Sequence, residues 1–338
     1  MKIALVCASD GEGGLEKHVL ELAAGLVSAG HAVTLVAPQS LVLRRPGSVA
    51  GIAVNFKRPR WWPGLRGDLA RALTGDWDVV HAHANKAAQL VAALRARVDS
   101  RRWVATLHNE KKDTRAFRRY DEVIVVSQRL RACVEAPKVS VVLNGIVPPA
   151  PHVVRDRGWL ARQCGLSVDQ PILLAIGRLV PAKGFDRLIA AAHEADVQIA
   201  LVGGGPELGP LQALAGSGKG RVSFLGARAD VAELLSACDG LVISSRHEGG
   251  PYTLAEALLA ECPVLATPVG MVPDVLPEPL WLPEAPSGMA ARMLAWSRDP
   301  AGWRAACLPA FEAARQRLTL ASMIAGTEAA YRGELAPD

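Results

Sequence analysis

Glu248 and Glu256 stand with seven residues between them, on either side of a Gly249-Gly250-Pro251 corner, in the stretch SRHEGGPYTLAEALL from Ser245 to Leu259. The glycines strip side chains from the backbone just ahead of an apolar helical run. The amides of Tyr252, Thr253 and Leu254 are therefore expected to face a bound anion at a helix N-terminus. Carboxylates on either side of such an anion can accept hydrogen bonds from hydroxyl groups. A local reading competes for one of them. Thr253-Leu-Ala-Glu256 has the form of a capping box, which accounts for Glu256 by helix chemistry alone. Glu248 then has only the reading of a solvated loop acid to set against a binding role.

A second constellation supplies the opposite charge. In IGRLVPAKGFDRL, Arg178 and Lys183 follow the end of a strand-like run, with Lys183 just ahead of a helix. A rigid guanidinium and a mobile ammonium suit a diphosphate, whereas solvated surface charges are the usual fate of these residue types. Gly11, Gly13 and Gly14 in SDGEGGLEKH offer a close backbone approach to phosphate at the next helix N-terminus. Their spacing is not G-x-G-x-x-G, and TLVAPQ ends without the acid that a nicotinamide ribose requires, so a dinucleotide oxidoreductase is disfavoured. Diphosphate in the middle, ribose at one end and hexose at the other is the layout of a nucleotide sugar, and it matches the two acids around an anion.

Other candidates read as structure. Asp76-Trp-Asp78 looks like a D-x-D metal motif but precedes a strand, so Asp78 is expected as a strand-start residue. His81 and His83 share one strand face; a packed or substrate-facing role is expected rather than a metal site. His18 is expected on the surface of the first helix. No Ser-His-Asp arrangement is legible.

The elements that must position these residues alternate. KIALVCA, AVTLVAP, DVVHAH, WVATLH, DEVIVVS and VSVVLNG read as buried parallel strands. GLEKHVLELAAGLVSAG reads as a helix with Leu15, Val19, Leu22, Ala23 and Leu26 on one face. Prolines in IVPPAPHVVRDRG, Ile146 to Gly158, mark a linker. A second series follows: PILLAIG, VQIALVG, VSFLG, GLVISS and PVLAT as strands, with FDRLIAAAHEA, PELGPLQALAG, VAELLSAC and LAEALLAE as helices. The tail from Ala285 to Arg332 is mostly helical by period. The fold class is α/β, two Rossmann-like βα domains facing a central cleft, with ligands at the carboxyl ends of the strands. The expected boundaries are 1–150, 151–310 and a C-terminal helix at 311–338 that crosses back to the N-terminal domain.

In all, 338 residues with half of them hydrophobic suit two soluble domains. The six cysteines form no C-x-x-C pair and are expected as buried free thiols in a reducing compartment. The N-terminus turns polar too soon for a signal peptide and no apolar run approaches a membrane span, so a cytoplasmic protein is expected.

Glu248 and Glu256 match the E-x7-E pattern of retaining glycosyltransferases with the GT-B fold, and the chain resembles glycosyltransferase family 4 over nearly all its length. Further matches come in order: GGLE, DVVHAH, ATLHN, VLNGI, GRLVPAKG, LVGGGP, FLG and EGGPYTLAEAL. The resemblance implies that Gly13 and Gly14 bring backbone to the donor diphosphate and that Arg178 and Lys183 bind it as leaving group. It implies that Glu256 accepts from ribose hydroxyls, Glu248 contacts the transferred sugar, the amides of Tyr252, Thr253 and Leu254 hold phosphate, and His108 lies beside the donor sugar. It implies a UDP- or GDP-sugar donor and no divalent metal or other cofactor. Gly250 and Pro251 replace the aromatic and glycine usual after the first Glu-Gly, so the donor-sugar contacts differ in detail. A sugar-nucleotide epimerase and a non-catalytic nucleotide-sugar-binding subunit are the competing readings.

The acceptor is sought in the charge. Residues 1–150 carry 22 Lys/Arg against 13 Asp/Glu; residues 151–338 carry 16 against 20. KRPRWWPGLR (Lys57–Arg66), RRW (Arg101–Trp103) and KKDTRAFRR (Lys111–Arg119) interleave cations with aromatics in the basic half. This suits anionic lipid at the inner face of the plasma membrane. No nucleic-acid-binding motif accompanies it. A glycan or lipid-linked acceptor, in cell-surface polysaccharide or lipopolysaccharide synthesis, is the expectation.

Overall fold

Runs of Ile, Leu, Val and Ala that end at glycine or a polar turn become parallel strands because both of their faces can be buried. In the computed structural model, which describes residues 1–148, 154–216, 218 and 221–334, these runs build two wholly parallel sheets. The chain divides into two compact units, Met1–Ile146 with Thr319–Asp338, and Val147–Leu318. Of the linker expected at Ile146–Gly158, residues 149–153, with the expected boundary at 150, lie outside the described residues.

The first unit holds β1 (Lys2–Cys7), β2 (Ala32–Ala37), β3 (Ala50–Ala53), β4 (Asp76–His83), β5 (Asp99–Leu107), β6 (Glu122–Val125) and β7 (Val139–Val141). Their order is β3-β2-β1-β4-β5-β6-β7, so the direction of winding reverses between β1 and β4. Such a reversal parts the loops at the strands' carboxyl ends and leaves room for a ligand there. The register pairs Leu5 with His81 and Cys7 with His83, then His81 with Val104 and His83 with Thr106. Alternation along each strand therefore puts His81, His83 and Thr106 on one face. The helix Gly14–Ser28 covers that face, with Val19, Leu22, Ala23 and Leu26 packed among Ile3, Leu5 and Cys7.

The last helix, Leu320–Arg332, joins the same core through Met323, Ala330 and Tyr331. Ile146 and Thr319 form a parallel bridge where the chain returns, and the Leu320 amide donates to the Ile146 carbonyl at 2.7 Å. Gly145 makes the approach possible, since a Cβ there would lie 2.0 Å from the Thr319 carbonyl oxygen. The preceding helix, Pro300–Arg317, belongs to the second unit.

That unit holds β8 (Ile172–Ile176), β9 (Gln198–Val202), β10 (Val222–Gly226), β11 (Gly240–Ile243) and β12 (Val264–Ala266), in the order β10-β9-β8-β11-β12. Here the reversal falls between β8 and β11. The helices Phe185–Ala195 and Tyr252–Leu259 follow those two strands and bury Phe185, Leu188 and Ile189, and Leu254, Ala257 and Leu258.

Candidate active site

In the second unit the reversal point gathers the charged residues singled out in the sequence. Pro181–Lys183 form one short 3₁₀ turn after β8, and Gly184 then turns the chain into the helix Phe185–Ala195 with φ +64°. Any Cβ at Gly184 would lie 2.3 Å from the Ser244 carbonyl oxygen, so only glycine lets this corner rest against the end of β11. Lys183 is thereby set beside the loop that leaves β11. Its ammonium is paired with the Glu248 carboxylate, which also accepts from Ser245 Oγ at 2.9 Å. Both side chains are mostly buried, with 20% and 14% of their surface exposed. A pair removed from water to this degree is held only with good geometry and extra hydrogen bonds.

The frame around the pair comes from residues that sequence reasoning passed over. Buried Arg187 donates from Nε to the Ser244 carbonyl at 2.9 Å and from Nη2 to the Ser245 carbonyl at 2.7 Å. Thr267 Oγ1 donates to the same Ser245 carbonyl at 2.6 Å, and Ser244 Oγ donates to the Lys183 carbonyl at 3.0 Å. Arg246 and Asp186 form a two-pronged ion pair at 2.7 Å, and hydrogen bonding with Arg246 holds the Asp186 carboxyl below its ordinary range. Arg187 lies four residues after Lys183 in KGFDR, and an arginine on an otherwise apolar helix stripe was the available signal. Arg178 stands exposed, and its side chain makes no hydrogen bond or ion pair among the described residues.

Two expectations at the Tyr252–Leu259 helix need correction. Its N-cap is Pro251, with no side-chain cap, so Thr253 lies inside the first turn and does not form a capping box with Glu256. Proline closes the corner two residues earlier than the Thr-x-x-Glu pattern suggests. The Leu254 amide donates to the Pro251 carbonyl at 3.1 Å, so a tightened first turn takes it away from any anion. Tyr252 and Thr253 open the helix, and Glu256 is half-buried one turn further on.

In the first unit, Gly13 is the N-cap and Gly14 the first residue of the helix Gly14–Ser28. The Gly13 amide donates to Glu16 Oε2 at 2.9 Å, which corrects its expected role: this chain's own carboxylate occupies it. Burial raises the Glu16 carboxyl, but hydrogen bonds from the Ser9 side chain and the backbone of Gly13 and Gly11 outweigh it, and the net shift is downward. Asp78 accepts from the Lys2 amide at 2.8 Å near the start of β4, as a strand residue should.

His18 is also corrected: it is buried, not on the helix surface. Its position fits the stripe, three residues after Leu15 and four before Leu22. It meets the histidines of the reversal point between β1 and β4. His83 Nδ1 lies 3.3 Å from Nε2 of His108, which directly follows β5, and the His18 and His108 rings are 4.6 Å apart at 79°. His18 Nδ1 donates to Asn144 Oδ1 at 3.1 Å. His81, stacked 4.1 Å from His83, has both nitrogens engaged, by Tyr331 Oη at 2.8 Å and Thr106 Oγ1 at 2.7 Å.

Comparison with known proteins assigns the chain. Residues 12–148 match the family described as Glycosyltransferase Family 4, and residues 160–279 match Glycosyl transferases group 1. The chain belongs to the group 1, family 4 glycosyltransferases. It is 29% identical over 248 residues to the Alpha-maltose-1-phosphate synthase of Mycolicibacterium smegmatis, covering 64% of this chain and 60% of that one. It is 29% identical over 302 residues to the Phosphatidyl-myo-inositol mannosyltransferase of the same organism, covering 79% and 76%. Among solved structures, Anabaena Alr3699/HepE in complex with UDP-glucose superposes with a TM-score of 0.80 at 21% identity, over 98% of this chain and 100% of that one. Identity that low speaks for the fold alone, which is GT-B.

Within this glycosyltransferase the three basic clusters are unequal. Trp103 is buried, and Arg102 pairs with the fully buried Glu122 at 2.6 Å. Arg115 is paired with Asp113, and Arg118 with Glu135. Only Lys57–Arg66 keeps its aromatics in solvent, Trp61 at 70% and Trp62 at 45% exposure. The cysteines are all free, but Cys133, Cys164 and Cys238 are half-buried, not buried as expected.

The histidines make a pH prediction. Burial pushes His18 down to about 4 against its Asn144 hydrogen bond, and pushes His81 down to about 3 with help from His18; His83 and His108 are driven well below their ordinary value by burial and by the neighbouring imidazoles. Unfolded, each takes a proton near pH ~6.5. Their contribution to stability is thus complete above about pH 6.5 and is lost as the pH falls towards the folded values. Thermal denaturation in a chelating buffer is expected to give a level melting temperature above about pH 7 and a progressive fall below about pH 6.5. A melting temperature unchanged down to about pH 5 contradicts the neutral, buried cluster.

Proposed function

We propose that the chain transfers a hexose from a nucleoside-diphosphate sugar to a hydroxyl of a glycan or lipid-linked acceptor, with retained anomeric configuration. The observation that carries this reading is the Lys183–Glu248 pair at the reversal point of the second sheet, next to the exposed Arg178 and the side-chain-poor start of the Tyr252–Leu259 helix. A diphosphate arriving there competes with Glu248 for the ammonium. Once Lys183 turns to phosphate oxygens, the Glu248 carboxylate is released to accept hydrogen bonds from sugar hydroxyls. Glu256, half-buried in the helix that starts beside the pair, takes the ribose hydroxyls in this reading.

The chemical difficulty is departure of the diphosphate while an oxocarbenium-like centre forms at the anomeric carbon. The bond from that carbon to the phosphate oxygen breaks, the bond to the acceptor oxygen forms, and the acceptor proton passes to the leaving phosphate oxygen. Charge grows on the leaving oxygen, where Arg178, Lys183 and the first-turn amide of Thr253 stabilise it. Two cations supply what a divalent ion supplies elsewhere, so the proposed transfer needs no metal. The roles of Gly14 and His108 rest on the family resemblance. The name of the mannosyltransferase relative supports a lipid acceptor, and so does the Trp61–Trp62 pair, exposed among Lys57, Arg58, Arg60 and Arg66. Aromatics interleaved with cations suit an anionic membrane surface. No helix of the described residues is long and apolar enough to cross a membrane.

Arg178→Ala and Lys183→Ala are each expected to lower transfer by a factor on the order of 10² or more in a donor-hydrolysis-corrected transfer assay. Wild-type turnover in both would remove the site assignment. In vesicle flotation, the wild type is expected to rise with anionic vesicles and not with neutral ones, and a Trp61→Ser, Trp62→Ser double variant to stay below. Equal recovery with both vesicle types removes the membrane part and leaves the transfer reading standing.

A further inference from the structure

The histidine cluster of the first unit is built as a metal-binding site. We infer that His18, His83 and His108 hold a zinc-class divalent transition-metal ion through three imidazole nitrogens. They offer one nitrogen each within 4.8 Å of one another, and all three side chains are buried. Tetrahedral zinc with bonds of ~2.0–2.1 Å to nitrogen requires its ligand atoms roughly 3.4 Å apart. His83 Nδ1 and His108 Nε2 already stand 3.3 Å apart. A nitrogen of His18 lies within 4.8 Å of the ligand atoms of the other two.

The surroundings sort the ligands. His18 Nδ1 donates to Asn144 Oδ1, which fixes its tautomer and leaves the Nε2 lone pair for an ion, the arrangement that orients metal-bound imidazoles. His83 Nδ1 and His108 Nε2 share one proton across their 3.3 Å contact, and an ion would take the place of that proton. His81 is excluded because Tyr331 and Thr106 engage both of its nitrogens. Three neutral imidazoles without a carboxylate select zinc, cobalt, nickel or copper over magnesium or calcium. Three protein ligands leave the fourth position to water or to an oxygen ligand. The ion would clamp the helix Gly14–Ser28 to β4 and to the residue after β5. Because His108 is also the residue expected beside the transferred sugar, occupancy would withdraw its imidazole from that task; this consequence rests on the proposed function, while the binding itself does not.

The test is a titration of chelator-stripped protein with cobalt(II) chloride, read by visible absorption. One equivalent is expected to bind with the intense d–d bands of four-coordinate cobalt, and zinc chloride is expected to displace it. In His18→Gln those bands are expected to vanish, in Asn144→Ala the affinity is expected to fall by about 10- to 100-fold, and His247→Gln, which changes an exposed histidine, is expected to match the wild type. The weak spectrum of six-coordinate cobalt, a thiolate-to-cobalt charge-transfer band, or unchanged bands in His18→Gln would each overturn the proposal. If His18→Gln fails to fold, the wild-type spectrum decides alone. Loss of transfer activity in Arg178→Ala or Lys183→Ala bears on the proposed function and leaves this result untouched.

Discussion

An ammonium held against a carboxylate at the end of two neighbouring strands is the constraint on which the second unit turns. Lys183 arrives there because Gly184 adopts a left-handed corner that no other residue fits against the Ser244 carbonyl. Glu248 arrives there because Arg187, Thr267 and Ser244 fix the strand exit ahead of it. Desolvating two charges is costly, and a hydrophobic pair of the same volume is often as stable. Retaining the pair at a sheet's reversal point is therefore better explained by an exchange of partners than by stability. On the proposed function, an anion that takes Lys183 frees Glu248, and the two halves of one salt bridge become two substrate contacts.

The same design of sheet recurs in the first unit with different chemistry at its reversal point. There the glycine-rich turn after β1 is closed by the chain's own Glu16, and histidines from β4, from the end of β5 and from the first helix meet under it. The register explains the meeting. His81 and His83 lie two residues apart on β4, and Thr106 and His108 lie level with and just beyond them on the β5 side. Tyr331 reaches the cluster because the chain returns at Thr319 through the space left by Gly145.

Most of the fold was legible because parallel strands buried on both faces announce themselves as short apolar runs. Among the described residues, eleven of the twelve strands coincide with runs read from the sequence. The exception, β3, is a mostly exposed edge strand of Ala, Gly, Ile and Ala, only four residues long, in which Ile52 is the one bulky β-branched residue. At the site, charges next to glycine were legible and their partners were not. Pairing of Lys183 with Glu248 crosses 65 positions and depends on which strands are neighbours, which periodicity does not reveal. The capping-box reading of Glu256 failed because Pro251 already sets the helix start, a case where the residue that fixes φ outweighs a side-chain motif. His18 was misplaced because residue type was weighed above position: its spacing from Leu15 and Leu22 put it on the buried stripe.

The exchange of partners at Lys183 is open to direct inspection in a crystal structure of the protein with a nucleoside diphosphate, UDP or GDP. The account requires diphosphate oxygens within hydrogen-bonding distance of Lys183 Nζ and the Arg178 guanidinium, with the Glu248 carboxylate let go. A nucleotide seated elsewhere, with Lys183 still on Glu248, would contradict it.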